Sequence, residues 1–369
     1  MTTLPTATLA GAPARRPALR NALLTRAAPA LAVAVLLLAP LAAGDYRLFQ
    51  FGRVAAVAVV LVGLHLLTGR AGLISVGHGA LMGIGAYLTA ILVHHQSWSY
   101  LAAVPAAALA CAVLGALLGV PALRIRGLYL ALVTLSLAIA LPPVLKRFKD
   151  LTGGPLGITP RPPDLLLGGL TAAQSTYLVA ALGLTAVMAG AVALGRSAPG
   201  RRFAAVKASD AMAAACGIPV AQTKIVAFAI SSFLAGAGGA LYLTVVGTVT
   251  PDTFTVTLSI TLLTGAVVGG LHSGAGAVVG ALFFVFVPDV TAGLGGQAPQ
   301  ITYALALLAA VYFLPSGLAG LPGRLLSWWT GRSGRGRRTT APGPVRPPSP
   351  SPHASPTSPA EGPNTEEAS

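Results

Sequence analysis

Few side chains in this sequence could do covalent or ionic chemistry, and they are scattered. The six Asp residues (Asp45, Asp150, Asp164, Asp210, Asp252, Asp289) fall in loops or at the ends of apolar stretches, and the only Glu residues are Glu361, Glu366 and Glu367. Acid–base catalysis needs paired titratable groups, and ion-coupled carriers generally bind their driving ion on intramembrane carboxylates. The sequence offers neither, which weakens an enzyme reading and a secondary-carrier reading together, although backbone carbonyls can also hold sodium. His65, His78, His94, His95, His272 and His353 are dispersed. His94 and His95 would point about 100° apart on a helix and make a poor ligand pair, so no metal site is expected and the histidines are read as interfacial. Cys111 and Cys216 are read as small buried hydrophobes, not as a disulfide. None of Lys146, Lys149, Lys207 and Lys224 follows a Gly, so there is no Walker A loop. If ATP drives this protein, it is hydrolysed on another chain, and no cofactor is expected on this one.

Polar, glycine-rich breaks could instead meet a passing solute. Ser75, Gly77 and His78, with Gly79, enter one apolar stretch; Thr152, Gly153 and Gly154 form a turn after Lys149; Thr134 is grouped with them as a pathway residue. A broken helix exposes backbone donors and acceptors, and such backbone is tolerated at membrane depth where it lines a cavity or is buried in protein. Tight packing explains the glycines equally well. A second candidate is the long basic loop 195–224, GRSAPGRRFAAVKASDAMAAACGIPVAQTK. Arg201 to Ala215 is rich in helix formers, Gly217 can supply a left-handed cap, and Pro219 prevents continuation. A short helix with a sharp turn can transmit a push from a soluble partner.

The elements that must carry these residues are membrane spans. The chain has 369 residues, 54% hydrophobic and only 9% charged, with a mean hydropathy of +0.77. A spanning helix needs about 20 mainly apolar residues. The expected fold is an all-α polytopic bundle of about ten spans: Ala27 to Ala43, Leu48 to Leu67, His78 to Val93, Tyr100 to Val120, Leu128 to Leu145, Tyr177 to Leu194, Ile225 to Val246, Val256 to Leu271, Ala275 to Val290 and Ile301 to Leu314. The first could be a cleaved signal peptide or a retained signal anchor. Residues 1–26 form a cytoplasmic segment, 27–322 the membrane domain, and 323–369 a basic Pro/Ser-rich cytoplasmic tail that reads as disordered.

The formal charge of +15 reflects positive-inside loops, not nucleic acid, because 18 of the 24 basic residues fall on one side when the spans alternate. That bias puts both termini in the cytoplasm. Gly79 and Gly83, Gly265 and Gly269, Gly270 and Gly274, and Gly276 and Gly280 are four apart, a spacing that lets helices approach closely.

Taken in order, several segments resemble the permeases of high-affinity branched-chain amino acid ABC importers, in particular the LivM-like member of the permease pair. They are AGLISVGHGALMGIGAY, LRIRGLYLALVTLSLA, LTGGPLGI, the loop 195–224, AFAISSFLAGAGGALY and PDTFTVTLSITLLTGAVVGGLHSGAGAVVGA, within roughly Val54 to Leu321. The resemblance implies a multi-pass subunit of the bacterial inner membrane, working by alternating access. Its implied partners are ABC ATPase subunits, a second LivH-like permease, an extracytoplasmic solute-binding protein and the lipid bilayer. It also implies that Lys207, Asp210, Ala211, Ala214, Gly217 and Ile218 form the cytoplasmic coupling helix that docks on the ATPase. Two departures stand out: Ser209 and Ala214 replace acids usual in that loop, and Leu128, Ile139 and Pro142 replace polar residues usual in their span. Fewer polar groups along a pathway favour a more apolar or uncharged solute. The alternative readings are a same-family permease for urea, short amides or another small polar solute, and an ion-coupled secondary carrier.

Overall fold

A computed structural model describes residues 44–120, 128–163, 171–271 and 274–291, with positions 305, 308 and 312. The expected first span, most of the tenth, His272 and the tail lie outside the described residues. Helix follows helix: α1 (Asp45–Leu64) with a π-helical extension (His65–Arg70), α2 (His78–Gln96), α3 (Tyr100–Gly119), α4 (Leu128–Arg147), α5 (Lys149–Thr152), α6 (Ala172–Arg196), α7 (Ala198–Ala208), α8 (Asp210–Ala215), α9 (Val220–Val246), α10 (Val256–Gly269) and α11 (Gly274–Thr291). Among the described residues, five stretches are long and apolar enough to cross a membrane: Asp45–Arg70, Tyr100–Gly119, Tyr129–Arg147, Ala172–Arg196 and Val220–Val246. Helices dominate because hydrocarbon offers no partners to backbone groups, which must therefore be paired within their own segment.

Local sequence sets several boundaries. Thr171 and Gln174 form a capping box at the start of α6, where the Gln174 amide donates to Thr171 Oγ1 at 3.3 Å and the Thr171 amide to Gln174 Oε1 at 3.0 Å. Such reciprocal bonding satisfies two otherwise orphaned donors. In α4, Leu130, Ala131, Thr134, Ala138, Leu141 and Leu145 are buried and Leu132, Ser136 and Ile139 exposed, so one helical stripe faces the protein.

Close contacts fix the helix directions. Gly52 meets Val245 while Gly63 meets Ser231, so α1 and α9 run antiparallel. Gly236 meets Cys111 and Gly119 meets Ile225, making α3 antiparallel to α9 as well. On the other side, Leu61 lies against Gly280 and Phe51 against Phe286, with ring centroids 5.9 Å apart, so α11 is antiparallel to α1. Two triplets result, α1–α2–α3 and α9–α10–α11, in which a long helix, a connecting stretch, a shorter helix and a returning helix run in opposite senses. The face at the end of α1 carries Arg70 and the loop 195–224; the opposite face carries residues 97–99, 148–163 and 247–250.

The triplets meet on bare backbone. A Cβ on Gly85 would strike the Gly236 carbonyl, and one on Gly239 would strike that of Met82, so α2 and α9 cross at main-chain distance, as small residues permit. Of the expected glycine pairs, Gly269 and Gly280 face Gly276 and Gly265 across α10 and α11. Gly270 and Gly274 do not share a helix: Gly270 sits in the turn at φ +100°, and α11 starts only at Gly274.

Candidate functional site

The basic loop is built on an apolar anchor. Phe203 and Val206 of α7 are buried at the membrane-domain surface, Phe203 in a cluster with Leu66, Leu73, Leu130 and Phe228. Burying a Phe side chain contributes about 1.5–3 kcal/mol. The expected single helix is two, because Ser209 adopts extended backbone (φ −167°, ψ 125°) and its hydroxyl accepts from the Met212 amide, starting α8 anew. Gly217 is at φ +75°, its amide donating to the Ala214 carbonyl at 2.9 Å and that of Ile218 to Ala213 at 3.0 Å. This is the paired bonding of a Schellman cap. Ala211, Met212, Ala214, Cys216 and Gly217 are exposed, so Cys216 is a surface thiol and not the buried hydrophobe expected.

Two lysines tie this unit to the bundle. Lys224 of α9 pairs with Asp210 at 2.7 Å, their side chains 10% and 31% exposed. Lys207 donates to the Gly69 carbonyl at 2.6 Å, and Gly72, at φ +72°, packs on the Lys207 stem. The π-helical turn shifts the bonding there, with the Ala71 amide donating to Leu66 at 3.1 Å; such insertions recur at functional positions in helices.

Residues 71–77 lead from that tie into the interior, and there the structure brings Ser75, Gly77, His78 and Thr134 together. Ser231 donates to the Gly63 carbonyl at 2.7 Å and receives His78 Nε2 at 2.7 Å. His78 Nδ1 then accepts from the Ser75 hydroxyl at 3.1 Å, and the Gly77 amide donates to Ser75 Oγ at 3.3 Å. The network itself assigns this tautomer. Thr134 Oγ1 accepts the Val76 amide at 3.0 Å. All four side chains are buried, His78 and Ser75 at 1% exposure. His78 is thus a buried, hydrogen-bonded ring, not an interfacial histidine, and His65 is also buried, its ring nitrogens facing the Leu61 and Gly270 carbonyls. Ser231 had no sequence signal beyond its place in a Ser-Ser pair on an apolar helix.

Thr152, Gly153 and Gly154 are at the opposite face, apart from that knot. The Thr152 hydroxyl lies 2.6 Å from the Leu145 carbonyl and 2.7 Å from that of Phe148, closing the end of α4. The following turn reaches Ile158, which pairs with Val249 in an isolated antiparallel bridge. Between the knot and this face, α2, α4 and α10 pack together with the short 3₁₀ segment Pro251–Phe254. Lys146 meets Asp252 there at 2.6 Å. Phe254 stacks edge-on against Tyr87, centroids 6.1 Å apart. The hydroxyls of Tyr87 and of Ser259, which packs on Gly79, are buried without a hydrogen-bond partner among the described residues. Lys146, Asp252, Tyr87 and Ser259 were not singled out from sequence, since nothing local shows that residues 106 positions apart meet. Among the described residues, no three His, Cys, Asp or Glu side chains gather as a metal site requires.

The described residues thus form a multi-pass bundle of apolar helices with a basic helix–turn on one face. Residues 48–328 match the family model for the permease component of branched-chain amino acid transport systems, and the chain belongs to that family. It is 32% identical over 282 residues to the high-affinity branched-chain amino acid transport system permease protein LivM of Salmonella typhimurium, covering 70% of this chain and 66% of that one. Against LivM of Escherichia coli K12 it is 30% identical over 281 residues, again covering 70% and 66%. The chain therefore spans just under two thirds of the length of these relatives. No solved structure matches it.

Proposed function

We propose that this chain is the membrane subunit of an ATP-driven importer that carries branched-chain or similar small amino acids across the bacterial inner membrane. The reading has about ten spans and both termini in the cytoplasm, with 323–369 as the cytoplasmic tail. Its ATPase docks on α8 and the adjoining end of α7, with Lys207, Asp210, Ala211, Ala214, Gly217 and Ile218 at the contact. A LivH-like second permease completes the pathway, and a binding protein delivers solute from outside.

The observation that carries this reading is the direct tie from the elbow to the broken helix. Lys207 holds Gly69 and Gly72, and from there residues 73–77 lead through Ser75 to His78, which bonds Ser231 of α9. An exposed, capped elbow fixed to a re-entrant segment can convert ATPase closure into movement inside the bundle, as alternating access requires. Ser75, Gly77, His78, Thr134, Thr152, Gly153 and Gly154 act in this scheme as the hinge and outer turn flanking the pathway.

Uptake of radiolabelled L-leucine by cells expressing the chain with its ATPases, second permease and binding protein tests the reading. Urea and short amides serve as competitors. Leucine uptake that requires ATPase activity is expected; displacement by urea or amides but not by isoleucine or valine overturns the substrate assignment. A reporter fused after Leu326 should be active only in the cytoplasm, and extracytoplasmic activity would overturn the orientation.

A further inference from the structure

We propose that the Lys146–Asp252 ion pair is the entry gate for solute, and that a zwitterionic amino acid opens it by exchange. The solute carboxylate replaces Asp252 on the Lys146 ammonium while its own ammonium takes Asp252. This rests on the amino-acid reading above and assigns it a place in the fold.

The pair joins elements distant in sequence, the last turn of α4 and the 3₁₀ segment that leads into α10. It is the outer edge of the seam between α2, α4 and α10. Its side chains are 40% and 67% exposed, with the charges 2.6 Å apart. An exposed pair of this kind holds little energy, so it is a poor structural strut and an easy latch. The charges it presents are opposite in sign and adjacent, which is the complement of an α-amino acid's head group.

What lies behind the pair points to a ligand. The Tyr87 hydroxyl, on a side chain 2% exposed, and the Ser259 hydroxyl, on one 1% exposed, have no partner among the described residues. Buried polar groups are nearly always bonded; Ser75, His78, Thr134 and Ser231 are, and among the described residues the other side chains with a buried unpartnered atom, Gln50, Ser232 and Asp289, lie on α1, α9 and α11, outside this seam. Phe254 lies under the latch against Tyr87 and Gly83, and Ser259 packs on Gly79, beside His78. The unpaired hydroxyls therefore mark a descent from the ion pair to the hinge, where a solute moving between α2 and α10 would supply the missing partners.

The test is leucine uptake by the complete transporter carrying Lys146→Gln, Asp252→Asn or both, and separately Lys146→Cys with Asp252→Cys bridged by a short bifunctional methanethiosulfonate. Each single variant is expected to raise the KM for leucine about tenfold with little change in maximal rate. The neutral double variant should recover nothing, because the solute needs the charges. Bridging the two cysteines should stop uptake, and reduction should restore it. Recovery of normal KM by the Gln/Asn pair would show a merely structural tie, and undiminished uptake with the cysteines bridged would show that solute does not pass there. Either result overturns the gate while leaving leucine import standing. Absence of leucine uptake by the unmodified chain overturns the substrate reading and the gate with it.

Discussion

The buried hinge and the surface elbow solve opposite problems with similar residues. At the hinge, Ser75, His78, Thr134 and Ser231 turn every hydrogen bond inward and are almost wholly buried. At the elbow, Lys207 and Lys224 tie the unit to the bundle and Ser209 caps α8 locally, while Ala211, Met212 and Ala214 stay exposed. The hinge has no room to give: an unmade bond there leaves a buried polar group stranded. The elbow is held by two buried side chains, a backbone cap and two lysine contacts, and its exposed surface is free for something else. One region buries its polar groups and the other leaves a helix surface exposed.

The comparison is broken most severely at the helix crossing that supports the hinge. Gly85→Val drives a branched side chain into the Gly236 carbonyl and is expected to cost about 3 kcal/mol or more. Its readout is loss of monodisperse protein in detergent, and a normal thermal midpoint would contradict the main-chain crossing. At the hinge itself, His78→Leu strips a partner from both Ser75 and Ser231. Ser231 still donates to Gly63, so the cost should be about 1–3 kcal/mol, seen as a lower unfolding midpoint in a protein that still inserts.

The elbow should respond differently. Gly217→Val forces a β-branched residue into φ +75°, at about 1 kcal/mol or more, and a Cβ there meets nothing within 4 Å. The penalty is therefore conformational and confined to the turn. Insertion and thermal midpoint should stay near normal while ATPase co-purification and uptake fall, with Gly217→Ala milder; a Val variant that binds its ATPase and transports normally would remove Gly217 from the coupling surface. The smallest effect is expected from deleting residues 331–369, whose composition has no means of burying a core. Uptake at matched membrane levels should be nearly unchanged, and a large loss would give the tail a binding role.

Element existence was legible because apolar runs of spanning length have one stable backbone state in lipid. Each expected span from Leu48 to Val290 coincides with a helix. The left-handed turn at Gly217 was legible too, since a helix-forming run, Gly and Pro in that order specify a stop by local sterics alone. The break at Ser209 was missed, because a serine can sit in a helix or cap one and only the packing of Phe203 and Val206 on one side and Asp210 on Lys224 on the other selects the cap.

By itself, then, the sequence determined which of the described segments are helical and that the chain is apolar enough to dissolve in lipid. Those properties follow from composition and from interactions within a few residues. The tertiary structure alone decided that His78 is a buried pin rather than an interfacial ring, that Ser231 is its partner 153 residues away, and that Lys146 meets Asp252 across 106 residues. Such pairings are set by which helix faces touch, and in a membrane those faces are chosen by small-residue packing between helices, a property of two segments together that neither displays alone.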